Sequence, residues 1–388
     1  MKTFIKIHYQ KVRTLYKKYE RLLMPATLVG GFLVDYFTFT SIQISITFTL
    51  LFGYWIIVGA TIAFTHLYDA PSFAKASEGK WQIWHKFRYL RLFSPLIIQF
   101  CFGSLLGSSL IFYWFSGAFS ISWPIMLILV LLMVFNETFR HYFDKPLVHI
   151  GVYFFATLSL FSALLPFLFS SLSAWFFISA CAVSLAIFVV YIYYLCRFAK
   201  SRSPGDRGSS MKSGHLLPQR RQFFMVIVAI TAAMNVLYFT NIIPPIPLAL
   251  REAGLYHSIK VSGEKYTMAV EPEHFLKTAI FGQTLNLAKG DRAYLYTAIF
   301  APARLKTTMV HRWQYYDKEQ KEWVDKGKLL FTINGGREDG YKGYSWQNDL
   351  SEGKWRIYVQ NQRGQVLGKV QFSVQKATEP IMLQQVVK

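Results

Sequence analysis

Only three of the 388 residues are cysteine, Cys101, Cys181 and Cys196, and each lies in or at the end of an apolar run. None follows residue 250, so the C-terminal part cannot be stapled by disulfides and must rest on an ordinary apolar core. The isolated cysteines lack the spacing of a metal or thiol redox site, and the sequence implies no cofactor and no metal. Acidic side chains are also scarce, 21 against 42 Lys and Arg. Catalytic signatures are missing too: there is no Gly-x-Ser-x-Gly elbow, no His-Glu-x-x-His helix and no glycine-rich phosphate loop. That excludes the common hydrolase, zinc-protease and nucleotide-phosphate chemistries, and leaves open only arrangements invisible in sequence, such as paired glycosidase carboxylates.

What the chain does have is apolar length. It is 53% hydrophobic and 18% aromatic, with a mean hydropathy of +0.27, which suits a membrane protein with a water-exposed appendage. Runs long enough to cross a hydrocarbon core of about 30 Å lie at Leu22 to Thr40, Gln43 to Leu67, Leu92 to Phe115, Phe119 to Phe135, Val148 to Phe169, Ala174 to Cys196 and Phe223 to Ile243. Short outer connections between the first six make three helical hairpins.

The basic residues orient these runs. Up to residue 249, every Lys and Arg falls within residues 1–22, 68–91, 136–147 or 197–221, and the connections near Thr40, Gly117 and Ser171 carry none. Because basic residues beside span ends stay on the cytoplasmic side, the pattern predicts seven spans with the N-terminus inside and residues 250–388 outside. The charged start followed by an apolar run reads as a retained signal anchor. The first 249 residues hold 21 basic and 7 acidic side chains, and the rest hold 21 and 14, so the net +21 divides into +14 and +7. Most of the excess thus sits beside spans, where insertion and anionic lipid account for it, and nucleic acid is not an expected partner.

Within the spans the one ionisable residue away from the ends is Asp35, the intramembrane polar candidate. Gly103-Ser-Leu-Leu-Gly107 offers a small-residue face for close helix approach. Trp81 to Arg91 combines aromatic and basic residues at helical spacing and predicts a helix in the cytoplasmic lipid interface. Arg197 to Arg221, rich in Ser, Gly and basic residues, reads as a flexible linker.

Beyond Pro244-Pro245-Ile-Pro247, which forbids helix continuation, the period changes from helical to alternating. Strands are expected at residues 256–261, 266–270, 293–300, 306–315, 328–333, 354–359 and 366–374, and Pro272 to Phe281 is either a short helix or a further strand. Hairpin turns are expected at Asp317 to Lys321, Asn334-Gly335-Gly336 and Asn361 to Gly364. Asp349-Leu350-Ser-Glu-Gly353-Lys-Trp355 has the form of the corner before a core strand in immunoglobulin-like sandwiches, with Trp355 in place of tyrosine and its indole N–H available to replace the hydroxyl. The expected fold class is a seven-helix membrane bundle (residues 1–249) followed by an all-β immunoglobulin-like sandwich (residues 250–388).

Several short motifs here lie together: His311-Arg-Trp313, Gly335-Gly336-Arg337, Tyr344-Ser345-Trp346, Gly353-Lys-Trp355-Arg-Ile-Tyr-Val359, Gly364-Gln-Val-Leu-Gly368 and Phe372-Ser-Val374. From about Ala293 to Val374 the chain resembles the bacterial domain of unknown function 2914. The resemblance implies a bacterial envelope protein in which the domain ends a multi-span membrane protein, and it implies no activity. One departure is Trp346-Gln347, where a basic residue near the serine is expected.

Two functional readings follow. In the first, a non-catalytic protein of the bacterial inner membrane presents a sandwich that binds an envelope glycan, lipid or protein partner. Its candidate ligand residues are His311, Arg312, Trp313, Arg337, Tyr344 and Trp346. The wider aromatic series, Tyr315, Tyr316, Trp323, Tyr341, Trp355 and Tyr358 with Arg356 among them, suits sugars or anionic glycans by stacking and charge, although half of any alternating series must face the core. In the second, the bundle is a transporter or membrane-embedded enzyme and the sandwich docks or gates.

Overall fold

The computed structural model describes residues 2–41, 44–68, 81–115, 119–138, 146–201, 220–243, 248–263, 265–271, 283–288, 290–301, 305–336, 340–377 and 380–388. Among the described residues seven helices come first: α1 (Lys2–Ser41), α2 (Ile44–Tyr68), α3 (Trp81–Phe115), α4 (Phe119–Thr138), α5 (Pro146–Phe169), α6 (Ala174–Ser201) and α7 (Arg220–Phe239). Each contains most of one expected apolar run; α7 ends at Phe239, four residues before the expected end at Ile243. Five of them, α2, α3, α5, α6 and α7, are long and apolar enough to cross a membrane. α4 holds a shorter apolar stretch, Ser122–Val134, and α1 carries its apolar run behind a basic first half.

The basic segments differ from expectation in one respect. Residues 81–91 are the first turns of α3, continuous with the apolar run behind them. No glycine or proline separates Arg88 from Leu92, so the backbone has no reason to break there. Arg88 lies 4.8 Å over the ring of Tyr9 from α1. The proline exit and Pro272 to Phe281 lie outside the described residues, as do positions 202–219 of the expected linker.

By contacts the chain forms two compact units: residues 1–111, 126–165 and 174–236, and residues 112–125, 166–173 and 237–388. In the first, glycine sets the approach of α1 and α3. A Cβ on Gly31 would lie 2.2 Å from the Phe100 carbonyl oxygen, and one on Gly103 would lie 2.0 Å from that of Leu28. A Cβ on Gly107 would meet the Phe32 ring at 2.6 Å, so the expected small-residue face is a backbone-to-backbone contact at Gly103 and a seat for a side chain at Gly107. Elsewhere the Trp55 indole N–H donates to the Thr157 hydroxyl at 2.9 Å and the Tyr191 hydroxyl donates to the Gly59 carbonyl at 2.9 Å. Such bonds tie α2 to α5 and α6.

Gly103→Ala should therefore force the two backbones apart and destabilise the helical unit by about 1–3 kcal/mol. Gly30→Ala, where the added methyl meets nothing within 4 Å, should leave it unchanged or stabilise it. SDS titration of the full chain distinguishes them, and equal midpoints for both variants would refute the close contact.

Among the described residues the second unit contains eleven strands: β1 (Ala249–Tyr256), β2 (Ser258–Ser262), β3 (Lys265–Val270), β4 (Gln283–Leu287), β5 (Arg292–Phe300), β6 (Lys306–Asp317), β7 (Glu322–Asn334), β8 (Tyr341–Asn348), β9 (Gly353–Asn361), β10 (Val366–Lys376) and β11 (Gln384–Val387). They form three sheets, ordered β1-β5-β8, β4-β10-β9-β6-β7 and β11-β3-β2. Pairing is antiparallel except between β4 and β10. The first two sheets share one core that includes Leu295, Ile299, Met309, Trp313, Ile333, Trp355, Ile357 and Phe372. The third contributes Met268 to a smaller cluster with Tyr256, Tyr296 and Ala298. β5 is thereby buried on both faces, which is why its sequence is nearly all apolar.

β7 begins six residues before the expected strand, because a bulge at Trp313/Gln314 shifts the register and interrupts its alternation. Asp317 to Lys321 and Asn361 to Gly364 are hairpin turns, the second closed by Gly364 N–H donating to the Asn361 carbonyl at 3.0 Å. Asn334-Gly335-Gly336 is instead the start of a crossover, since β7 pairs with β6 while β8 pairs with β5. At the corner before β9 the Trp355 indole N–H donates to the Ser351 carbonyl at 2.8 Å, the substitution foreseen for the missing tyrosine hydroxyl.

Candidate functional site

Alternation along β6 sends consecutive residues to opposite faces, and this divides the candidates. His311 and Trp313 point into the shared core, with exposures of 0% and 1%. Arg312 lies on the outer face of the five-stranded sheet, half-buried. Tyr344 and the exposed Trp346 sit on β8, on the side that carries Tyr294 and Tyr266 rather than with His311. Arg337 lies outside the described residues. The six do not form one surface: a ligand that touches Arg312 cannot touch His311 or Trp313 without opening the sheet.

His311 belongs to a buried polar chain. Its Nδ1 is 2.9 Å from Ser345 Oγ, its Nε2 is 3.1 Å from Thr297 Oγ1, and the Trp313 indole N–H donates to Ser345 Oγ at 3.0 Å. The Thr297 hydroxyl donates to the Gly343 carbonyl at 3.3 Å. One assignment uses every group: Trp313 N–H to Ser345, Ser345 O–H to His311 Nδ1, His311 Nε2–H to Thr297, Thr297 O–H to Gly343. Burial pulls the His311 pKa down from 6.5 to about 3, so the ring is neutral as this chain requires. Ser345 and His311 are both 0% exposed, and the pair is a structural element rather than a nucleophile and base.

The outer face of the five-stranded sheet is different. Arg312 donates through Nε and Nη2 to Asp325 at 2.7 and 2.9 Å. Gln314 Nε2–H donates to the same carboxylate at 2.6 Å, and Arg356 Nε–H donates to Gln314 Oε1 at 2.7 Å. The bonds from Arg312, with smaller help from Gln314, hold the Asp325 carboxyl down at about 2. Arg356 lies 4.0 Å over the Trp323 ring and 5.0 Å over that of Tyr358, and Trp323 packs at 5.2 Å against Tyr316. Gln314, 4% exposed, has both ends of its amide engaged. Among the described residues the terminal nitrogens of Arg356 have no hydrogen-bond partner, while its Nε and plane are held. The guanidinium is thus positioned in advance among aromatic faces, an arrangement suited to planar anions and to sugar rings.

Arg356, Tyr316, Trp323 and Tyr358 belong to the aromatic and basic series legible in the sequence. Gln314 and Asp325 were not singled out. Gln314 shares the even-numbered face with Arg312 and Tyr316, a signal that was present; the bulge hides Asp325.

In the helical unit Asp35 is 2% exposed and accepts a hydrogen bond of 2.7 Å from the Ser104 hydroxyl of α3. Ser104 is next to Gly103, so the carboxyl sits where α1 and α3 come closest. Asn235 donates to the Thr231 carbonyl at 2.8 Å, within its own helix.

Comparison with known proteins adds one finding about the β region. Residues 306–374, from the start of β6 into β10, match the family described as protein of unknown function (DUF2914). The chain ends in a domain of unknown function 2914. All members of the Arg356 cluster lie inside the DUF2914 match, as do His311 and Ser345; Thr297 lies before it. No curated protein matches the chain. Among solved structures, the Pseudomonas fluorescens alkylpurine DNA glycosylase AlkC bound to DNA containing an abasic site analog aligns at 10% identity over 83% of this chain and 97% of that one, with a TM-score of 0.19. That score carries no argument.

Proposed function

We propose that this is a multi-span protein of the bacterial inner membrane, with seven spans and a cytoplasmic N-terminus, whose extracytoplasmic β domain binds an anionic envelope glycan on the outer face of its five-stranded sheet. The observation that carries the reading is Arg356, clamped by Gln314 and two aromatic rings, its terminal nitrogens without a hydrogen-bond partner among the described residues. Lys328 and Lys354 lie nearby on the paired strands, so the face is basic as well as aromatic. The orientation rests on the distribution of Lys and Arg. The domain is best described as an immunoglobulin-like sandwich, on the strand order of its two main sheets, the buried Trp313 in the middle of β6 and the Trp355 corner.

The transporter reading lacks a comparable observation. Asp35 meets Ser104 at a glycine contact, and this placement serves helix pairing.

The test uses the full chain in nanodiscs titrated with uronic-acid polysaccharide and with a neutral glucan. The acidic glycan should bind and the neutral one should not. Arg356→Ala should weaken binding at least about 10-fold, from loss of charge-assisted bonds worth about 1.5–3 kcal/mol, and Arg356→Lys should not restore it, because the planar stack is lost. Equal binding of both glycans, or no effect of Arg356→Ala, would defeat the assignment. A reporter fused after Gln375 checks orientation and should be extracytoplasmic.

A further inference from the structure

The outer face of the five-stranded sheet continues past Arg356, and the strand register orders it into rows. In one row Lys369 of β10 lies opposite Tyr358 of β9, Tyr358 opposite Arg312 of β6, and Arg312 opposite Lys328 of β7. The neighbouring row runs Gln371, Arg356, Gln314 and Asp325 in the same strand order. Residues directly opposite one another share a face. On β9 the alternate residues Trp355, Ile357 and Val359 are buried and Arg356 and Tyr358 are not, which makes this the outer one.

Charge is unevenly balanced along these rows. Asp325 is the one carboxylate in them, and it is taken up at the β7 end by Arg312 at 2.7 Å and Lys328 at 3.4 Å. Toward β10, Arg356 and Lys369 have no ion pair among the described residues. They are diagonal neighbours on adjacent strands, which places them about 7–8 Å apart, with Tyr358 beside both. Two like charges held this close repel, and anionic groups seated on them relieve the repulsion. Past Lys369 the face is polar and uncharged: Gln371 is exposed, and Ser373 Oγ lies 3.5 Å from Thr284 Oγ1 of β4. The face therefore has a direction, neutralised at β7, cationic over β9 and β10, and lined by an amide and hydroxyls toward β4.

We infer that the ligand of this face is a polymer of acidic sugars lying across the strands, with one carboxylate on Arg356 and a second on Lys369. A sugar ring between them covers Tyr358, and uncharged hydroxyls meet Gln371 and Ser373. The inference rests on the glycan reading and narrows it to a repeating polyacid gripped along its length, as opposed to a single acidic sugar. Arg356 is held in advance and sets the register, while Lys369, a point charge on a flexible stem, takes the second acid.

The experiment displaces a fluorescent tetragalacturonate from the full chain in phosphatidylcholine nanodiscs, with unlabelled tetragalacturonate or with galacturonic acid. The tetramer should compete at least about 20-fold better than the monomer, where four independent acid units account for about 4-fold. Lys369→Gln should bring that ratio down to about 4-fold and leave the monomer's affinity unchanged, which also shows that the variant is folded. Arg356→Ala should weaken both competitors. Lys260→Gln, which removes an exposed cation from β2 in another sheet, should change neither. A native ratio near 4-fold, a ratio untouched by Lys369→Gln, or an equal fall in Lys260→Gln would overturn this inference and leave the glycan reading standing. No binding of the labelled tetramer to the native chain would remove both.

Discussion

Ser345→Ala should destabilise the β domain by about 2–4 kcal/mol although it removes a single oxygen. The hydroxyl accepts from the Trp313 indole and donates to His311 Nδ1. Its loss leaves two polar groups without partners in the buried core, each costing about 1–3 kcal/mol. The chain of bonds is directional, so no rotation of a neighbour repairs it: Thr297 is already committed to Gly343. Hydrogen exchange on the full chain should show β6 and β8 opening roughly 30-fold faster or more, since about 2 kcal/mol corresponds to that factor. Ser345→Cys, with a weak donor and acceptor, should recover part of the loss. Unchanged protection in Ser345→Ala would mean that the buried chain contributes nothing to stability.

Acid should loosen the same strands through His311. In the folded domain burial holds the ring neutral down to about pH 3, against an ordinary value of 6.5. Between those limits the unfolded chain binds a proton that the folded one does not. The contribution of neutral His311 is therefore complete above pH 6.5 and is lost as pH falls toward 3, by up to about 1.4 kcal/mol per pH unit. At pH 5 the loss is about 2 kcal/mol. The imidazole packs against Phe331 at 4.7 Å, and no carboxylate is bonded to it that would ease protonation. Exchange in β6, corrected for the intrinsic pH dependence of amides, should accelerate between pH 7 and pH 5 in the native chain. In His311→Gln that dependence should be markedly shallower; identical pH slopes in the two proteins would sink this account.

The helices were legible because uninterrupted apolar runs of about twenty residues are a strong local signal. Most of each apolar run read from the sequence lies within a helix; the seventh overshoots, since α7 ends at Phe239 and the expected run at Ile243, while at Lys2 in α1 and Trp81 in α3 a basic segment continues the helix instead of leaving it. In the β domain the alternating runs found most of β2, β3, β5, β6, β9 and β10. β1, β4, β8 and β11 were not read as strands, because their residues are too mixed to alternate visibly. Tyr341-Lys-Gly-Tyr-Ser-Trp-Gln-Asn is a strand because β5 pairs with it along its length. β4 is held by a parallel pairing with a strand more than eighty residues away, and nothing local announces it.

The candidate residues divide the same way. Alternation alone says that Arg312 lies opposite His311 and Trp313. It does not say which of the two faces is buried, and the structure put the histidine inside. The cluster around Arg356 needed three strands and a bulge to bring Gln314 beside both Asp325 and Arg356.

By itself, then, the sequence determined what depends on neighbours along the chain: apolar length, the rhythm of basic stretches, the absence of disulfides and the alternating character of the C-terminal part. Only the tertiary structure decided which polar groups are paired and which are left available. A hydrogen bond such as that between His311 and Ser345 joins residues 34 positions apart, and its energy depends on desolvation, which the packed sheets create and consecutive residues cannot.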